Sequence, residues 1–360
     1  MTHFFPRVAR PLAPVLLAPF LTVFLAVFAA ALPPSPAFAA EGARPLRIAY
    51  LEAGEFWLFK YTLKAFQEAL AENADLAPEY VEHLSPGWDA PRQELVDAAR
   101  ALMARDDIDL IIAAGTSASR VLQQENNGRT PVIGVALADP VAAGLVASVD
   151  DSGIDNFTCR VIPNRWENMF RVFYDVIRFK RLGLIYPKGP EGKLYAAVAD
   201  AEKVSRELGF EVLAKEIEDE NTPACTSGVD WLKENGADAF FIGPMVCFDW
   251  DALDPSPLLK HINEDLGLPT FARDGSAFVQ GGALMGFASW DFGPAGRRLA
   301  DMAARIAAGA RPRDIPMKDN IEPLIAVNLE TAMEVGVDLP IDVLIAADEI
   351  YETTSKPSFE

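Results

Sequence analysis

Binding chemistry is most visible in this sequence where an apolar run stops at small, acidic or aromatic residues. The run Leu110–Ala114 stops at Gly115-Thr116-Ser117, and a helix-like segment follows. Hydroxyls and backbone N–H groups at a helix start stabilise a carboxylate or phosphate by roughly 0.3–1 kcal/mol. The same hydroxyls equally suit the N-cap of their own helix. Residues 132–136 end in Asp139-Pro140, and residues 268–272 are followed by Asp274. A carboxylate at 274 either accepts charge-assisted bonds from a ligand amine or caps the helix that begins near Gly275. Residues 46–51 run into Glu55, Phe56 and Trp57, residues 181–186 end at Tyr186, and residues 238–242 run into Gly243 and Pro244. Aromatics at 56, 57, 186, 250 and 290 suit stacking on a flat ligand, although most large rings fill cores. Trp57 and Tyr186 stand out by their loop positions. Arg160 and Arg273 suit a ligand carboxylate or, equally, an interlobe salt bridge.

All of this is capture chemistry. G-x-S-x-G and a P-loop are both absent, and only His83 and His261 lie beyond the amino-terminal segment. That argues against a zinc site or a His-dependent nucleophile. No cofactor or metal is expected. Abundant carboxylates leave a two-acid hydrolase open on composition alone.

These residues need elements to position them, and the apolar pattern supplies a parallel sheet. Strand-like runs at 46–51, 78–83, 110–114 and 132–136 alternate with helix-like stripes at 58–71 and 90–104. Such β–α alternation reads as a doubly wound sheet, whose ligands bind beyond the carboxyl ends of the strands. The rhythm resets near 153–165. A second series then follows, with helices at 166–177, 193–208, 224–235 and 258–266 and strands at 181–186, 210–217, 238–242 and 268–272. The remainder offers strands at 283–288 and 321–327, a helix at 293–309 and two short helices. It reads as additions to both units. The expected fold is therefore α/β, with two doubly wound parallel-sheet lobes joined by a multi-strand hinge. Residues 46–158 plus about 276–313 make lobe 1, and 162–273 plus about 320–350 make lobe 2. The expected crossings fall near 159–162, 273–276 and 314–322. Such a hinge lets a cleft close on a ligand.

The first 39 residues read as a signal peptide. Arg7 and Arg10 open it, residues 15–32 are apolar apart from Pro19 and Thr22, and Ala37-Phe38-Ala39 matches a cleavage site. An uncleaved membrane anchor is the competing reading, because the apolar run is nearly long enough to span a bilayer. Of the 360 residues, 32 are Lys or Arg and 52 are Asp or Glu, a net charge of −20. Losing Arg7 and Arg10 leaves 30 basic side chains against 52 acidic ones, or −22. That balance argues against nucleic acid and anionic lipid as partners. Cysteines 159, 225 and 247 are too few for a disulfide framework. They read as buried unpaired thiols, although one pair could close.

Three blocks then carry a resemblance: TPVIGVALADPVAAGLVASV at 130–149, GGALMGFASWDFGPAGRRLADMAARIAAGARPRDIP at 281–316 and PLIAVNLETAMEVGVDLPIDVLIAADEI at 323–350. In this order they resemble the exported solute-binding proteins of ABC transporters, in particular the group that binds tryptophan and other aromatic amino acids. The resemblance implies the type I periplasmic-binding-protein (Venus flytrap) fold and a ligand-facing aromatic near Tyr186. It also implies a periplasmic, monomeric receptor that delivers a small-molecule ligand to a permease in the inner membrane. An amino acid, preferably aromatic, is the favoured ligand, and a nucleoside or nucleobase also suits stacking rings and Asp side chains. A ligand-sensing subunit for a membrane signalling protein would use the same fold.

Overall fold

The computed structural model describes residues 45–288, 292–320 and 324–357. The expected signal peptide lies outside them. The first sheet is built from β1 (Leu46–Glu52), β2 (Pro78–Leu84), β3 (Leu110–Ala114), β4 (Val132–Val135) and β5 (Phe157–Cys159). Their order is β2-β1-β3-β4-β5, and every pair is parallel. All five residues of β3 are buried, because helices cover both faces of the sheet and leave no side for polar residues. On one face α1 (Trp57–Ala71) brings Phe59, Phe66 and Leu70 into a core shared with Leu299 and Met302. On the other, α2 (Arg92–Ala104) and α3 (Gly115–Gln124) pack Leu95, Leu102, Val121 and Leu122.

The second sheet follows α4 (Arg165–Ile177). Its first strands are β6 (Arg181–Pro187), β7 (Glu211–Ile217), β8 (Ala239–Ile242) and β9 (Thr270–Ala272), spaced by α5 (Gly192–Tyr195), α6 (Val198–Leu208), α7 (Thr222–Glu234) and α8 (Ser256–Lys260). After α9 (Ser276–Gln280) and β10 (Met285–Ala288), α10 (Gly293–Ala307) leaves this sheet, and β11 (Leu324–Asn328), α11 (Leu329–Glu334), α12 (Ile341–Ala346) and β12 (Glu349–Tyr351) return to it. The order is β12-β11-β10-β9-β8-β6-β7, with β10 and β11 the one antiparallel pair. Phe170, Phe173, Phe241 and Phe271 fill its core with ring centroids 4.6–6.0 Å apart, within the range of favourable aromatic packing.

Several sequence expectations change. Residues 276–288 do not extend lobe 1: β10 pairs with β9 and β11, so its apolar residues are buried in the second sheet. The chain returns to lobe 1 only with α10, whose Leu299 and Met302 pack on α1. No crossing therefore falls at 273–276. Near 159–162 and 314–322, also expected as crossings, two segments run side by side, with Val161 N–H donating to the Met317 carbonyl (2.9 Å) and Asp319 N–H to the Val161 carbonyl (2.8 Å). Arg160 pairs with Asp319 across them at 2.6 Å.

The single helix expected at 193–208 is broken into α5 and α6, with Ala197 in the left-handed region at φ +53°. Cys225 and Cys247 form a disulfide, correcting the unpaired reading, while Cys159 is free and buried. Spacing hid the pair because the turn after β8 folds back on α7 and brings the two Cα atoms to 6.6 Å.

Candidate functional site

Because both sheets are parallel-dominated, the carboxyl ends of β1, β3, β4, β6, β8 and β9 all deliver loops to one interlobe cleft. A cavity of about 490 Å³ lies there, lined from both lobes. The first lobe supplies an aromatic wall. Phe56 packs against Phe59 (5.4 Å between centroids) and Phe59 against Trp88 (6.2 Å). The Trp88 indole donates to the Glu55 carbonyl at 2.8 Å, which fixes a ring that is otherwise half exposed. Gly115 begins α3 at φ +80°, and a Cβ there would lie 2.6 Å from the Phe59 ring. Only glycine lets β3 turn so tightly beneath that ring.

The second lobe supplies polar groups. The Glu191 carboxylate accepts from Arg120 Nε at 2.7 Å, Ser117 Oγ at 2.9 Å and the Tyr195 hydroxyl at 2.6 Å. Arg120 and Ser117 belong to α3, so this cluster ties the lobes together across the cleft. Burial alone would raise the Glu191 carboxyl, but the bonds from Tyr195, Arg120 and Ser117 outweigh it and hold its pKa below the usual range. Burial, followed by the neighbouring carboxylate, pushes the Tyr195 phenol up, so it remains a donor. Glu220, after β7, accepts the Val246 N–H at 2.9 Å, and burial raises its pKa. Arg273, after β9, is 5 % exposed, lies over the Trp166 ring (4.2 Å to the centroid) and donates through Nη1 to the Tyr195 carbonyl. Trp166 in turn donates to the Ala138 carbonyl of the first lobe at 2.7 Å.

Of the residues expected at the site, Phe56, Gly115, Thr116, Ser117 and Pro244 line this cavity. The others are placed elsewhere. Trp57 is buried against Phe278 and Phe292, and its N–H points to Asp249 at 3.5 Å. Tyr186 packs on Ala196 and Val198, with the Lys193 ammonium 5.8 Å from its ring. Glu55 offers its carbonyl to Trp88. Asp139 accepts the N–H groups of Val141 (3.0 Å) and Ala142 (2.9 Å), and with Pro140 it lines a smaller cavity of about 240 Å³ next to Arg160 and Pro163. Gly243 accepts the Met245 N–H through its carbonyl at 3.0 Å. Asp274 stands 3.4 Å from Arg273 Nε, and neither it nor any other side chain caps α9.

The N-cap reading of Thr116 and Ser117 is likewise corrected: no side chain caps α3. Thr116 Oγ1 accepts from Ala138 N–H at 3.4 Å, and Ser117 donates to Glu191. The anion that faces this helix start is thus one of the protein's own. Trp88 and Glu220, which the sequence pattern does not single out, also line the cavity; they follow β2 and β7, whose carboxyl ends face the same cleft.

The whole arrangement has relatives. Residues 62–351 match the ABC transporter substrate binding protein family. The chain belongs to that family. A protein from Streptococcus pneumonia solved in complex with L-Trp superposes with a TM-score of 0.69 at 20% identity, covering 84% of this chain and 99% of that one. A conserved domain protein from Vibrio cholerae gives 0.70 at 18% identity (85% and 100% covered). A ligand-free, open substrate-binding protein with adhesive properties from Clostridium difficile gives 0.57 at 20% (85% and 99%). At these identities the likeness is one of fold, the type I periplasmic-binding-protein architecture. No curated protein matches the chain. The family is one of ABC transporter substrate-binding proteins, and membership implies a small-molecule ligand and an ABC permease as partners.

Proposed function

We propose that this substrate-binding protein is exported, works as a monomer and captures a small organic solute, an amino acid in preference, for an ABC importer in the inner membrane. One observation carries the reading: a cavity of about 490 Å³, within the usual size of ligand sites, is lined by rings from one lobe and charged groups from the other. Export rests on the pattern of residues 1–39. The L-Trp complex of the Streptococcus relative supports an amino acid as ligand.

A thermal-shift screen of the purified protein against amino acids, nucleosides and sugars tests this. Ligand at about 100 times its Kd should add roughly 2.7 kcal/mol of stability. No shift with any amino acid would remove the preferred ligand class, and turnover of a screened compound would remove the receptor reading itself.

A further inference from the structure

Trp57 belongs to the first lobe by its helix and to the second by its contacts. It opens α1, whose Phe59, Phe66 and Leu70 pack under the first sheet. Its own ring is 2 % exposed and sits in a core of the second lobe with Phe248, Trp250 and Phe278. Among the described residues, every other buried member of that core comes from the second lobe. The backbone follows the ring. Trp57 N–H donates to Asp249 Oδ2 at 3.5 Å, and one turn later Lys60 pairs with Asp251 at 2.8 Å. Both acids lie in the loop after β8, so the start of α1 rests on the second lobe. The residue before Trp57, Phe56, is extended at φ −152° and lines the ligand cavity. Adjacent rings thus serve the cavity and the contact between lobes. Burying an indole removes roughly 150–250 Å² from water. Because this one is buried between lobes, any swing that parts α1 from Phe278 returns that area to water.

We propose that Trp57 is a positioning residue of the receptor. Its ring is a knob that seats in the second lobe when the cleft closes, and its seating sets Phe56 at the cavity wall. The Glu191 cluster ties α3 to the loop after β6, whereas Trp57 ties α1 to the loop after β8. One polar tie and one apolar tie therefore bracket the cavity, and loss of either shifts the lobes towards the open form. The seat works whichever solute the cavity takes, so this inference stands or falls apart from the amino-acid reading.

Small-angle scattering of the full exported chain without ligand, set beside urea unfolding, tests it. Trp57→Ala should lower the ratio of closed to open form by more than ~10-fold, as expected when a buried ring no longer leaves water on closing. Phe278→Ala empties the seat from the other lobe and should also open the cleft, and the double variant should open it no further than W57A alone. Trp57→Phe keeps a ring in the seat and should restore most of the closed form. Should W57A fail to fold, Trp57→Leu keeps an apolar filler and should open the cleft by a smaller amount.

A core residue with no part in closure would lower the unfolding midpoint and leave the W57A profile unchanged, in the wild-type and the Glu191→Gln background alike. That result overturns the inference. So does a double variant that opens the cleft by the sum of the single ones, because ring and seat would then act independently.

Discussion

In the first lobe the cleft wall is Phe56, Phe59 and Trp88, three rings held by one another and by the Glu55 carbonyl. In the second it is Glu191, Tyr195, Glu220 and Arg273, side chains that keep their places through hydrogen bonds. Phe56 and Phe59 stay put because they also pack into a core, so packing that stabilises the lobe shapes this part of the cleft, while the half-exposed Trp88 leans on Phe59 and the Glu55 carbonyl. Of the polar groups only Arg273, stacked on Trp166, has such support. Their backbone is held instead by local devices: the break at Ala197, a Gly192 whose Cβ would collide with the Pro187 carbonyl, and the Cys225–Cys247 disulfide behind Pro244 and Val246. Damage to the first wall should therefore cost stability, and damage to the second should cost affinity and closure.

The largest effect should come from Phe59→Ala. Phe59 is 7 % exposed and shares the core of β1, β3 and α10, so its loss should destabilise the protein by about 3–5 kcal/mol. Urea unfolding measures this, and a loss under about 1 kcal/mol would make the ring a lining residue only and dissolve the contrast between the walls. Next comes the staple of the second lobe. Replacing Cys225 and Cys247 by Ser frees a loop closed over a separation of 22 residues, which in the chain-entropy account is worth about 3 kcal/mol. A denaturation midpoint indifferent to both the replacement and added reductant would mean that the loop is held by packing alone.

The same contrast explains what the sequence could disclose. Leu110–Ala114 is legible as a doubly buried strand because burial on both faces demands an unbroken apolar run, and Gly115 after it marks a tight turn. Phe56 and Ser117 follow from the rule that parallel strands present their carboxyl ends to a cleft. Trp57 and Phe56, in contrast, are adjacent aromatics in one loop, and nothing in their spacing says which enters the core. Tyr186 ends its strand as expected, yet its ring turns under Ala196 and Val198. The membership of β10 is set by pairing with β9 and β11, a long-range event with no local mark. Nothing in the sequence around Glu191 marks its role. Its role depends on Arg120, which is distant in sequence and reaches it only when the lobes meet.

Glu191→Gln tests closure directly. The carboxylate holds three bonds across or beside the cleft, two of them from α3, and bonds to a charged group contribute about 1.5–3 kcal/mol each when both partners are sheltered. The variant keeps the shape but weakens the tie, so its ligand-free form should be more open by small-angle scattering. The sign with pH follows from a folded pKa below the ordinary value. The contribution is complete above the usual carboxylate range and is lost as pH falls through the folded value. Wild type should therefore open on acidification while E191Q does not respond in that window. Identical scattering of both proteins across the window would mean that the Glu191 cluster does not hold the cleft shut.

The smallest effect should be at the other end of the same interface, Asp319→Asn. Arg160 and Asp319 meet at 2.6 Å, but their side chains are 22 and 23 % exposed, so water competes for both and the pair should be worth about 1 kcal/mol or less. More to the point, the crossing segments remain joined by the backbone bonds of Val161 to Met317 and of Asp319 to Val161, which need no side chain. A hinge made of backbone persists whether the lobes are apart or together, whereas the Glu191 cluster exists only when they are together. D319N should therefore lower the melting temperature slightly and leave the open and closed scattering profiles and the ligand affinity as they are. If it opened the cleft as far as E191Q does, the ion pair at the crossing, and not the cluster at Glu191, would be what keeps the lobes together.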